Sequence, residues 1–182
     1  YQERNSSRSG GWVYLLALAF VFLALSALYD SWSMPLAILL SVPLAVAGAM
    51  VSVWAVHHWN ALLVNDIYLQ ISLVMLIGLA AKNAILVAEY ADRMFFGQGL
   101  SLADAALGAA RQRVRPILMT AFAFILGVLP LVFAHGVYAT ARNVMGVALV
   151  GGMAAATLAG IFLYPALYYL IGRIFGFEKK RA

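Results

Sequence analysis

IYLQISLVMLIGLAAKNAILVAEYA, running from Ile67 to Ala91, decides the fold. It is long and apolar enough to cross a bilayer as a helix, because about 20 such residues suffice. Yet it holds a lysine, Lys82, well inside it. A lysine ammonium at the centre of a span costs about 2.5–3.5 kcal/mol on insertion scales, a cost normally offset by a buried anion or a water-filled path. At the helical rise, Lys82 lies about 15 Å from Asp92 and about 22 Å from Ile67. Snorkelling reaches only several ångström, so neither interface is in comfortable range. Such a residue is read by default as part of an ion- or proton-handling site.

The rest of the chain agrees with a membrane reading. Of its 182 residues, 65% are hydrophobic and only 10% charged, with mean hydropathy +0.92. That composition excludes a soluble globular domain. Cysteine is absent, which removes disulfides and thiolate metal sites. No phosphate loop, catalytic triad or metal-binding helix motif is present, so no enzyme, no metal and no cofactor is expected. The His57-His58 pair, in a predicted external turn, is a poor metal candidate, and His135 falls at a span end. The formal charge of +5 is carried by short membrane-adjacent segments, which argues against nucleic acid as a partner.

About five spans follow, near 11–29, 34–56, 67–91, 116–135 and 143–171. Helices are expected throughout, since an open sheet leaves backbone groups unpaired in lipid. Arg93, Arg111, Arg113 and Arg115 share one loop, and Arg173, Lys179, Lys180 and Arg181 sit in the tail. Clustered basic residues mark the cytoplasmic side, so that loop and the C-terminal tail, 172–182, are placed in the cytoplasm. Residues 1–10, polar and without an initiator methionine, are then expected on the far side, descending from a larger external domain. Ser33 with Pro35, and Asn65-Asp66, read as helix starts. Ser101-Leu102-Ala103-Asp104 resembles a capping box and opens a short cytoplasmic helix over about 101–113, lying along the membrane surface. Pro43, Pro130 and Pro165 are expected to kink their helices. Trp12, Trp32, Trp54 and Trp59 fall near span boundaries, as membrane interfaces favour.

Small residues cluster where helices must touch: Gly78, Ala80, Ala81 and Ala84 around Lys82, and Gly146, Gly151, Gly152 and Gly160 in the last span. None of the seven acidic residues lies near the middle of a predicted span, so the anion that Lys82 requires is expected outside this chain. Glu89 is better placed to pair with Arg93 at i,i+4. Thr120, about one turn after Arg115-Pro116, can bond a charged group on a neighbouring helix or its own preceding turn. Arg113 stands just outside the fourth span as an interfacial anchor, and Asn83 can hydrogen-bond between helices.

Taken in order, several stretches resemble the C-terminal transmembrane half of resistance-nodulation-division efflux transporters, in particular the AcrB/MexB-like multidrug branch. They are Tyr1-Gln2-Glu3-Arg4, ALYDSWSMP at Ala27 to Pro35, and NDIYLQISLVMLIGLAAKNAILVAEYA at Asn65 to Ala91. RQRVRPILMTAFAFILGVLPL at Arg111 to Leu131 and ARNVMGVALVGGM at Ala141 to Met153 complete the set. The resemblance implies an all-α membrane protein, here a bundle of about five transmembrane helices plus one surface helix, taken from a twelve-helix transporter. It implies a homotrimer in the bacterial inner membrane, joined to a periplasmic adaptor and an outer-membrane channel, exporting amphiphilic drugs in exchange for protons. It implies that residues 1–10 end a periplasmic segment, and it assigns Lys82, Thr120 and Arg113 to a proton relay completed by an aspartate pair in the N-terminal half. Asn83, beside Lys82 in the sequence, is a candidate supporting residue on its position alone. A metal-exporting relative is the nearest alternative. A non-transporting membrane scaffold, or a truncated product, is the alternative of another class.

Overall fold

The computed structural model describes residues 3–29, 33–59, 67–136 and 139–175. Every regular element among them is helical: α1 (Glu3–Tyr29), α2 (Ser33–Leu39), α3 (Val42–Trp59), α4 (Ile67–Asp92), α5 (Leu102–Val132) and α6 (Ala139–Ile174). A π-helical turn, Arg93–Gly97, prolongs α4. Three stretches are long and apolar enough to cross a membrane: Ile67–Gly97, Leu102–Val132 and Ala139–Ile174. Shorter apolar runs occupy Leu15–Ala27 and Val42–His57. The chain is thus an all-α membrane bundle.

Element boundaries depart from the sequence expectation in four places. The first helix begins at Glu3, so its polar start is already helical and continuous with the apolar run. The second expected span, 34–56, is two helices separated at Leu40 and Ser41. Pro43 lacks the amide that would close onto the Leu39 carbonyl, and its ring crowds that carbonyl. Ser41 fills the gap: its Oγ and its backbone N–H both donate to the Ile38 carbonyl, at 2.6 Å and 3.2 Å. Pro43 then sits in the first turn of α3, where a missing amide costs nothing.

The third departure is the largest. The surface helix expected over 101–113 and the span expected over 116–135 are one helix, α5, which passes straight through Pro116. A proline removes one ladder bond, and neighbouring helices can compensate for it within a membrane bundle. Finally, α6 begins four residues before the expected 143 and runs through Pro165 to Ile174. The predicted cap at Asn65-Asp66, and residues 176–182 of the tail, lie outside the described residues.

Two caps secure α5. At its start the Ser101 side chain accepts from the Asp104 amide at 3.2 Å, the first of the two bonds of a capping box; in place of the second, the Ser101 hydroxyl donates to Asp104 Oδ2 at 2.6 Å. At its end Gly136 turns the chain at φ +109, a conformation open to glycine. With its amide nitrogen turned toward the α5 terminus, Asn143 brings two N–H donors within hydrogen-bond distance of the carbonyls of Leu131 (2.9 Å), Val132 (3.2 Å) and Ala134 (3.2 Å). The carbonyls of Leu131 and Val132 are among the last of α5, for which the helix itself supplies no donor.

The core lies along α6, which packs against α3, α4 and α5. Its contact with α3 runs through small residues. A methyl added at Gly48 would collide with Ala155, and one added at Gly151 would collide with Ser52. Ser52 Oγ lies 2.8 Å from the Ala49 carbonyl and 3.2 Å from the Val147 carbonyl, so its hydroxyl joins the two helices where the glycines let them meet. Buried side chains divide into two main clusters. One gathers Leu69, Leu73 and Leu76 with the first half of α6; the other gathers Ala84, Val87 and Ala91 with the start of α5 and Tyr168. Lys82 sits near the level where one gives way to the other.

Candidate functional site

Helix α4 explains how Lys82 is presented. Its buried residues include Leu69, Leu73, Leu76, Ala80, Asn83, Ala84 and Val87, a face directed into the bundle. Ile71, Met75, Gly78 and Lys82 are exposed and recur at helical spacing on the opposite side. Lys82 is therefore the one charged residue on an apolar stripe. A methyl added at Gly78, one turn before Lys82, would meet nothing within 4 Å. The stripe is open and flat just above the ammonium, the form that lets another helix approach closely.

No described residue forms a hydrogen bond or ion pair with Lys82. The nearby acids have other partners. Glu89 Oε1 pairs with Arg93 Nη2 at 2.5 Å, as the i,i+4 reading expected. Asp92 Oδ1 accepts from the Tyr168 hydroxyl at 2.8 Å. Asp104 is held in the α5 cap. Asp30, Asp66 and Glu178 lie outside the described residues.

The other predicted residues are distributed around this stripe. Thr120 is exposed on α5, and its Oγ1 donates to the Ile117 carbonyl at 3.1 Å. It thus bonds its own preceding turn, with a hydroxyl oxygen still able to accept from a neighbour. Met119, Phe122 and Leu126 flank it and are more than three-fifths exposed, so this side of α5 is open along its membrane stretch. Arg113 is half-buried, with its guanidinium carbon 4.7 Å from the centre of the Tyr90 ring on α4. It stacks there as a cation on an aromatic face, about 12 Å further along α4 than Lys82. Its Nε is buried without a partner among the described residues. The Tyr90 hydroxyl in turn donates to Gln112 Oε1.

Asn83 does not share the site's face. It is 1% exposed, on the buried side of α4, and its Nδ2 finds no partner among the described residues. One residue of helix rotation, about 100°, separates it from Lys82. The structure therefore brings Lys82 and Thr120 to open surfaces of adjacent helices, draws Arg113 to Tyr90, and turns Asn83 inward. Sequence reasoning passed over Tyr90 and Tyr168. Both lie at helix positions where an aromatic ring reads as ordinary packing, and only their hydroxyl contacts distinguish them.

Comparison with known proteins places these motifs. A model of the AcrB/AcrD/AcrF family matches residues 1–172. The chain is 46% identical over 180 residues to the multidrug resistance protein MdtF of Escherichia coli, covering 99% of this chain and 17% of that protein. It is 44% identical over 179 residues to the toluene efflux pump membrane transporter TtgB of Pseudomonas putida, covering 98% and 16%. It is 42% identical over 175 residues to the multidrug export protein AcrF of Escherichia coli, covering 96% and 16%. The chain thus spans about a sixth of the length of the curated relatives it matches.

Proposed function

The chain belongs to the AcrB/AcrD/AcrF family, and from that premise we propose that it forms part of the membrane domain of a proton-driven multidrug efflux pump. In this reading it is a transporter segment and not an enzyme, set in the bacterial inner membrane with its C-terminus in the cytoplasm. Lys82 is the cationic member of an intramembrane proton relay. Thr120 lends a hydroxyl from α5, and Arg113 stands nearer the cytoplasm.

One observation carries the proposal: Lys82 is exposed on an otherwise apolar stripe of a membrane-long helix, with no partner among the described residues. An ammonium facing hydrocarbon is costly, and an anion on a helix packed against that stripe removes the cost. The relatives are about six times longer than this chain, so a further part of such a pump has ample length to supply the helix and an aspartate pair.

The cycle follows from electrostatics. Ionised carboxylates attract the ammonium strongly where the dielectric is low. A proton taken from the periplasm neutralises a carboxylate and weakens that attraction, so Lys82 swings free and the helices settle into a second arrangement. Proton release toward the cytoplasm restores the pair. Drug export would be driven by coupling these two arrangements to periplasmic domains of the homotrimer, which pass amphiphilic compounds to an adaptor and an outer-membrane channel.

Lys82→Met in the full-length transporter tests the relay. Methionine keeps the length and apolar stem while removing the charge. Efflux of an amphiphilic dye under an imposed proton gradient is expected to fall to background at normal abundance and unchanged oligomeric state. Near-normal efflux at that abundance would overturn the relay assignment.

A further inference from the structure

Helix α4 is attached to α6 on both sides of Lys82, and the two attachments differ in kind. Above Lys82, the Leu76 side chain fits over Gly152 of α6 so tightly that a methyl on that glycine would collide with it. Below Lys82, the Tyr168 hydroxyl of α6 donates to Asp92 Oδ1 at 2.8 Å. Leu76 lies about 9 Å from Lys82 along the helix and Asp92 about 15 Å. Tyr168 is 2% exposed, at the heart of the cluster that also holds Ala88 and Ala91 of α4.

The second attachment is not what packing alone would select. A buried phenol needs a hydrogen-bond partner, whereas phenylalanine would fill nearly the same volume without that demand. A half-buried carboxylate carries its own desolvation cost, and no described cation lies within ion-pair distance of Asp92 to offset it. Such a pair does give direction and register, because a hydrogen bond breaks when one helix slides or turns against the other by an ångström or two.

We propose that the Asp92–Tyr168 hydrogen bond locks the cytoplasmic end of α4 to α6, so that the displacement of Lys82 in the transport cycle moves α4 and α6 as one body. Asp92 and Tyr168 are positioning residues: neither touches the proton on its path through Lys82, and both set how the movement of α4 is passed on. This rests on the relay reading above, since it requires Lys82 to move.

The test uses the full-length transporter with Tyr168→Phe, Asp92→Leu, Asp92→Asn and the Tyr168→Phe/Asp92→Leu double variant. Two quantities are read at matched abundance: the apparent melting temperature, and dye efflux across a series of imposed proton gradients. Tyr168→Phe and Asp92→Leu are each expected to lower efflux at least threefold and to require a steeper gradient for half-maximal rate. The double variant should be no worse than the weaker single one in either measurement. Asp92→Asn keeps an oxygen for the phenol to donate to, and should restore efflux to within twofold of wild type. The lock is overturned if Tyr168→Phe leaves the gradient dependence unchanged. It is also overturned if Asp92→Asn is as damaging as Asp92→Leu, or if the single effects on melting simply add. Failure of the relay reading shows separately: Lys82→Met would then pump normally, while the melting cycle still reports whether Asp92 and Tyr168 are coupled.

Discussion

At the scale of single residues, the chain separates two adjacent polar side chains by a single step of helix rotation. Lys82 looks outward and Asn83 inward. Their adjacency in sequence suggested a shared role, and hydropathy cannot tell which side of a membrane helix meets protein, because lipid and core are equally apolar. The need for a partner at Lys82 was legible from the cost of its charge. The direction in which that partner must lie was not, and it came from the open stripe of Ile71, Met75 and Gly78. For Asn83 the structure makes a different prediction. A buried donor without a partner costs about 1–3 kcal/mol, so Asn83→Leu is expected to leave the melting temperature unchanged or to raise it. A drop of several degrees would mean that its amide is bonded from outside this chain.

At the scale of elements, hydropathy located α4 to within a residue because both ends of its apolar run are marked by polar residues. It failed at α5, where Arg111, Arg113, Arg115 and Pro116 imitate the end of a span. A helix can leave the bilayer without changing its backbone, and charge reports the interface rather than the helix terminus. It failed in the opposite sense near Pro43, where an unbroken apolar run conceals a break between α2 and α3. The α3–α6 contact leads to a paired prediction. Gly151→Val forces a side chain into Ser52, and should lower stability by about 1–3 kcal/mol or more. Gly127→Ala has open space around the added methyl, sits within a helix, and should be neutral or stabilising by up to about 1 kcal/mol. Melting of the two full-length variants checks the pair. A stable Gly151→Val protein would mean that α3 and α6 do not pack through these glycines.

At the scale of the whole molecule, α6 is the central post, and α3, α4 and α5 all pack against it. The open sides of α4 and α5 carry Lys82 and Thr120, and a membrane protein does not leave an ammonium on a lipid-facing stripe without a partner surface. The family resemblance was legible early because GLAAKNAIL and RPILMT sit in regular helices whose spacing survives in the chain. What was not legible is the arrangement that ties Lys82 to α6, since Leu76, Gly152, Asp92 and Tyr168 are far apart in sequence and individually ordinary.

In the proposed relay, Lys82 couples proton movement to export. Drug-dependent proton flux, measured in proteoliposomes holding the full-length transporter, tests it most directly by comparing wild type with Lys82→Met. Substrate-stimulated proton movement is expected in wild type and none above the empty-liposome rate in the variant, with the variant folded and equally incorporated. Substrate-stimulated proton flux of wild-type size in Lys82→Met would contradict it.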